Sequence, residues 1–289
     1  MILKRIFLPA VLLAFSLMAQ GKDEWTLDPG VRVKCLKVLR EGLASEEFWP
    51  SMHAAEALSV AGFGKEVQEF LSPKLETEND DQRRCGLARE LVRSGDKAKS
   101  TVMMDILQKE DAHGHVHAAE SLYKVGWSGG FDPLKTAFSE TDQMPLKIMA
   151  ASALAKYDRE GSGKEAIAFL RNTLKREEDP AVFRLPAWVL SRIGVESDRE
   201  LIRSRLKDAG DPLVHAFLEH ALAALGDDDG KKALLENLKS DDPVIRTYAA
   251  VFAGESGIFE AVPDLVGQLD HENLDARIRA AQALLTLDL

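Results

Sequence analysis

The densest group of potential metal ligands in the chain is Asp111-Ala112-His113-Gly114-His115-Val116-His117. His113 and His117 stand four residues apart, so a helix through both would carry two imidazoles on one face, as a zinc site requires. No cysteine or further histidine nearby completes the four-ligand shell of a structural zinc site, and Asp111 sits where a helix N-cap is expected. The pattern therefore predicts capping and surface roles for His113, His115 and His117. Other chemistries find no residues at all: there is no Gly-x-Ser-x-Gly elbow, no phosphate-cradling Gly-x-x-x-x-Gly-Lys, no calcium loop and no Cys-x-x-Cys. No catalytic, cofactor-binding or metal-ligating residue is assigned. Trp127-Ser128-Gly129-Gly130-Phe131 is a glycine-rich loop with an aromatic at each end, suited to touching a sugar or peptide, and read more simply as a staple between two helices.

The elements that position these residues are set by where the chain begins and by its composition. Lys4 and Arg5 precede an apolar run from Ile6 to Ala19, followed by Gln20 and Gly21, which is the layout of a secretory signal peptide over residues 1–21. The run is too short for an ordinary membrane span. Cleavage after Ala19 or Gly21 is expected to release an exported protein, periplasmic or secreted, with no membrane attachment. Its net charge would be about −12, against −10 for the whole chain. Such an acidic surface argues against nucleic acid or anionic lipid as partner, since both need a basic field. At 45% hydrophobic residues the chain is too apolar for disorder. The only cysteines, Cys35 and Cys85, fall in predicted helices a whole hairpin apart and are expected as buried free thiols.

Internal periodicity fixes the fold class. Ala55, Ala88, Ala119, Ala151, Ala187, Glu219, Ala250 and Ala281 follow one another at intervals of 33, 31, 32, 36, 32, 31 and 31 residues. Three positions after each comes Leu58, Leu91, Leu122, Leu154, Leu190, Leu222, Ala253 or Leu284. A small residue with a leucine one turn later is what a helix presents where another helix approaches its backbone. Eight positions before the small residue stand Glu47, Asp80, Asp111, Gln143, Asp179, Asp211, Asp242 and Asn273, mostly good N-caps, and Pro180, Pro212 and Pro243 follow three of them at the first helical position. Leu107, Phe138, Leu174, Leu206, Leu238 and Leu269 mark a second helix in each unit, and the long interval places an insertion at Gly161-Ser162-Gly163 in a hairpin loop.

The expected fold is all-α, an α-α superhelix of about eight helical hairpins whose last is incomplete. Residues 22–46 are expected as an N-terminal capping helix and 47–289 as the solenoid. Each hairpin exposes an apolar face and is stable only when stacked on its neighbours. The chain stops inside the first helix of the eighth unit, which leaves apolar surface weakly covered or available for self-association.

Asp242-Pro243-Val244-Ile245-Arg246 followed by Ala249-Ala250 resembles the HEAT-like repeat of the phycobilisome-lyase type, over nearly all of the chain from Glu47 onward. The resemblance implies the fold and little of the activity, since such repeats serve scaffolds, adaptors and a few enzymes. It also implies that the column Ser51, Arg84, His115, Lys147, Phe183, His215, Arg246 and Arg277 is half of an Asp/Arg ladder between units. The segments MHAAEAL from Met52 and VHAAESL from Val116 invite comparison with deoxyhypusine hydroxylase, but Met52 and Val116 occupy the positions of its histidine ligands.

Helical angles place the positions two before and one after the small residue on the side away from the packed face. In the N-terminal units these are His53 with Glu56, Gly86 with Arg89, and His117 with Glu120, as an exposed face should be; from the fifth unit they turn apolar, Leu185 with Trp188, Phe217 with His220, and Tyr248 with Val251. Leu185, Trp188, Phe217, Tyr248 and Val251 are thus expected to form an apolar interaction surface with Trp188 as its anchor. The function that follows is a non-enzymatic scaffold or adaptor binding a protein or peptide outside the cytoplasm. The alternative is an accessory or catalytic subunit resembling bilin lyases, with a small ligand in the concave groove.

The capping aspartates give a first prediction. Asp211→Ala should cost about 1 kcal/mol, seen as a lower thermal midpoint than that of the unsubstituted chain.

Overall fold

The structure is a computed structural model that describes residues 25–127 and 129–289; the expected signal peptide, residues 1–21, lies outside the described residues. Among the described residues there are sixteen α-helices. In chain order they are α1 (Pro29–Leu43), α2 (Phe48–Val60), α3 (Gly64–Thr77), α4 (Asp81–Arg93), α5 (Ser100–Leu107), α6 (His115–Val125), α7 (Asp132–Glu140) and α8 (Met144–Tyr157). They continue as α9 (Gly163–Arg176), α10 (Pro180–Ile193), α11 (Asp198–Arg205), α12 (Pro212–Ala224), α13 (Asp228–Asn237), α14 (Pro243–Glu255), α15 (Val262–Gln268) and α16 (Leu274–Leu287). No helix among them is long and apolar enough to cross a membrane.

The capping column starts the even-numbered helices as the sequence predicts. Asp179 accepts from the Ala181 amide, Asp211 from those of Leu213 and Val214, and Asp242 from that of Val244. Asp80, Asp111 and Asn273 cap in the same way, whereas Glu47 and Gln143 make no side-chain cap bond. The small residues Ala55, Ala88, Ala119, Ala151, Ala187, Ala250 and Ala281 are all fully buried. Glu219, the exception, is tied by its carboxylate to the Asn237 amide at 2.8 Å.

Each even-numbered helix packs on the even-numbered helices before and after it, and the odd-numbered helices lie outside them. The close approach that the small residues permit is tightest between α14 and α16, where a Cβ on Gly254 would come within 2.6 Å of Ala283 Cα. The insertion falls in the α8/α9 loop, where Asp158 accepts from the Ser162 amide at 3.0 Å.

The two ends of the superhelix meet. Helix α16 packs on α2, which closes the inner row into a ring of eight, and α1 packs on both α16 and α2. The N-terminal helix was expected to cap one end of an open stack. It packs on α16 as an outer helix does on an inner one, so the apolar face of α16 is covered from within the described chain. Polar contacts close the seam: Leu27 N donates to Asp288 Oδ1 at 2.7 Å, Arg32 pairs with Asp288, and Lys34 pairs with Asp270 at 2.6 Å. Trp25 stands edge-on to Phe259 with ring centroids 5.3 Å apart.

The basic column does not form the ladder that the resemblance implied. His115, Arg246 and Arg277 bond to the backbone carbonyls of Lys109, Ser240 and His271, in the loop that precedes each one's own helix. Pairing between units runs through the outer helices, as Arg40 with Glu66 at 2.9 Å, Arg171 with Asp198 at 2.7 Å, and Lys231 with Glu260 at 2.6 Å, and through other positions of the inner helices, as Arg93 with Glu56 at 3.1 Å.

Closure is testable at Gly42, where an added Cβ would meet Ile278 Cδ1 at 2.6 Å and Ala54 Cβ at 3.0 Å. Gly42→Leu should lower stability by about 2 kcal/mol through overpacking, and adding Ile278→Ala should restore part of it, both read from denaturant midpoints. An unchanged midpoint in Gly42→Leu would mean that α1 does not sit on α16.

Candidate functional site

In a helix that packs on both neighbours and on an outer partner, one face remains, and in a closed ring that face looks into the lumen. The lumen holds a cavity of about 510 Å³ lined from all eight inner helices. It runs from Pro243, Val244 and Asn273 at the starts of the inner helices to Lys124, Arg192 and Glu255 near their ends. Leu185, Trp188, Phe217, Tyr248 and Val251, expected on an outer surface, all line it. Phe217 is only 3% exposed, and Trp188 and Tyr248 are half-buried. His53, Glu56, Arg89, His117 and Glu120, expected as an exposed polar face, line it as well. Ring closure is the reason for both corrections.

The two sets occupy opposite sides. The side built by α16, α2, α4 and α6 is ionic. Glu90, fully buried, accepts from Arg89 Nε at 2.5 Å and from Arg93 Nε at 2.8 Å; Arg93 reaches Glu56 at 3.1 Å, and Glu56 takes Arg279 at 2.9 Å. That chain of charges crosses the seam between α16 and α2. Beside it His53 Nδ1 lies 2.6 Å from Asp275, Lys124 pairs with Glu120 at 2.7 Å, and His117 stacks on Trp49 at 5.5 Å and 15°. Burial alone would raise the Glu56 carboxyl, but Arg93 and Arg279 outweigh it and hold the group well below the usual carboxylate range. Burial likewise pushes Glu120 up, and Lys124 with Arg89 brings it down to about 2. Burial lowers His53 and His117, so both imidazoles tend to the neutral form.

The side built by α8, α10, α12 and α14 is apolar, with Met149, Leu185, Trp188, Phe217, Tyr248 and Val251. Trp188 meets Tyr123 edge-on at 5.3 Å, and Phe217 packs on Tyr248 at 4.5 Å. The Arg192 guanidinium covers Trp188 at 4.6 Å and pairs with Glu255. Arg184 lies over the Phe217 ring at 5.2 Å, and among the described residues it makes no ion pair and no hydrogen bond. Sequence reasoning missed both: Arg184 falls in no repeating column, whereas Arg192 ends a basic column, Arg93, Lys124, Lys156 and Arg192, five residues after the small residues of units two to five, a signal that could have found it.

This arrangement is suited to binding. The lumenal carboxyls Glu56 and Glu120 stay ionised through the neutral range and cannot donate a proton there. Cys35 and Cys85 are buried free thiols in the walls, each pushed up to about 12 by burial, and neither lines the cavity. The histidine cluster diverges: His113 pairs with Asp80 at 2.9 Å, His115 bonds to a loop carbonyl, and only His117 faces the lumen. No group of three or more potential metal ligands is assembled among the described residues. Trp127 stands edge-on to Phe131 and Tyr157 and donates to Gly130 O at 3.1 Å, stapling the ends of α6 and α8 to the start of α7. Compared with known proteins, the chain matches no family model and no curated protein.

Titration separates two of these groups. His220 is fully buried beside Phe252, and burial depresses it from 6.5 to about 3. Between those values the unfolded chain binds the proton that the folded chain refuses, so stability falls as pH drops from about 6.5 toward 3. Glu120, depressed from 4.5 to about 2, stabilises the fold above about 4.5, and that contribution is lost as pH falls toward 2. His220→Leu should flatten the stability profile only in the first window and Glu120→Gln only in the second, measured as denaturant midpoints at stepped pH.

Proposed function

We propose that this is an exported, non-enzymatic binding protein built from HEAT-like repeats, and that it holds a small ligand in the lumen of the ring. The carrying observation is that Leu185, Trp188, Phe217, Tyr248 and Val251 face a central cavity of about 510 Å³. That volume lies within the range of small-molecule sites, and a mostly apolar wall facing a few fixed polar groups is their usual chemistry. The side chains stand on packed helices, so the pocket is preformed. Export rests on the residues 1–21, with their basic start and short apolar run.

A protein or peptide partner is the second reading, favoured by the rim. Trp49 and Val244, at 39% and 45% exposure, stand where the cavity meets solvent. A chain end entering the lumen would cover both.

Native mass spectrometry of protein purified gently from the exported fraction tests the first reading. A mass excess that is lost on denaturation and missing from Val251→Trp, which fills the cavity, is the expected result. A bound polypeptide that survives in Val251→Trp but is lost on Trp49→Ala would replace the small-ligand reading with the second. N-terminal sequencing of the same sample should start after Ala19 or Gly21.

A further inference from the structure

The lumen holds more cationic than anionic groups, although the chain as a whole carries a net charge of −10. Its five basic linings are Arg89, Lys124, Arg184, Arg192 and Arg279, and its four acidic ones are Glu56, Glu120, Glu255 and Asp275. Every carboxylate already has a partner: Glu56 has Arg93 and Arg279, Glu120 has Lys124, Glu255 has Arg192, and Asp275 has the His53 ring. A cationic ligand would have to compete with these partners. Of the cations, Arg184 alone has no acidic neighbour in reach among the described residues, and it stands on the apolar side. Its guanidinium rests on the Phe217 ring, with Leu185 and Tyr248 also on that wall.

We infer that the lumen selects an amphipathic anion: a flat apolar body lying against Leu185, Trp188 and Tyr248, with one carboxylate, sulfonate or phosphate held by Arg184. This rests on the small-ligand reading above and names its chemical class. A guanidinium presents a planar fork that fits an oxyanion through two parallel hydrogen bonds, and an aromatic face beneath it keeps the fork in plane. Binding such an anion would give Arg184 the counter-charge that each of its four lumenal counterparts already has. The cavity volume suits a body of two or three fused or linked rings.

Two dyes of nearly the same shape separate the inference from the reading beneath it. Anilinonaphthalene sulfonate is anionic and phenylnaphthylamine is neutral. Each is titrated into the whole folded chain, with dye emission and quenching of Trp188 as readouts and Trp188→Phe to assign the quenching. The expected result is one site per chain and a preference of roughly tenfold to a hundredfold for the anionic dye, the range of a hydrogen bond to a charged group. Arg184→Gln should erase that preference while leaving the neutral dye's affinity unchanged. Arg184→Lys, which keeps the charge and serves as the control for folding, should retain part of it. If both dyes quench Trp188 equally and Arg184→Gln changes neither, the anion site is overturned and the binding cavity stands. If neither dye quenches Trp188, both fall.

Discussion

Helix α16 stands at the seam of the ring, packed against α14 and α15 on one side and against α1 and α2 on the other. Its residues Ile278, Ala281, Leu284 and Leu285 are almost entirely buried, and α1 returns from the other end of the sequence to pack on this helix, with Gly42 against Ile278. Stacked hairpins are stable only through their neighbours, so an end unit normally needs a polar outer face or a cap. Here one helix serves both ends. It covers α16 and α2 together, and the inner row closes because of it.

Closure changes the meaning of every inward side chain. In an open superhelix the free face of an inner helix lies on a concave surface that solvent reaches freely. In a ring of eight it becomes the wall of a lumen, where a charge loses much of its hydration and needs a partner. The network Arg89, Glu90, Arg93, Glu56 and Arg279 meets that requirement with alternating signs across three helices. Replacing one member would leave its neighbour charged and unpaired, which costs more than the pair itself contributes. The network also crosses the seam, so closure in the right register and satisfaction of the buried charges depend on each other.

The division of the lumen into an ionic side and an apolar side follows from where along the chain the inward positions change character. Units one to three and eight supply most of the charges, and units four to seven supply Met149, Trp188, Phe217 and Tyr248, with Arg184, Arg192 and Glu255 as the charges on their side. The first and last units are adjacent only in the ring, so the ionic residues form one continuous wall only once the ends meet. A cavity with two such walls orients whatever enters it, since a ligand's apolar body and its charged group are drawn to different sides.

The sequence by itself determined the helices, their pairing into hairpins, the caps at Asp179, Asp211 and Asp242, the insertion near Ser162 and the burial of the alanine column. Each of these depends on residues within a few turns of one another, so a single column at a fixed spacing carries it. The same angles correctly grouped Leu185, Trp188, Phe217, Tyr248 and Val251 on one face. Only the tertiary structure decided that this face is an inside. That outcome depends on the small rotation between units summed over the whole chain, and on contacts such as Leu27 with Asp288, 261 residues apart. Arg184 shows the same limit: it belongs to no column, and its lack of an acidic partner among the described residues is a property of the lumen that no local spacing encodes.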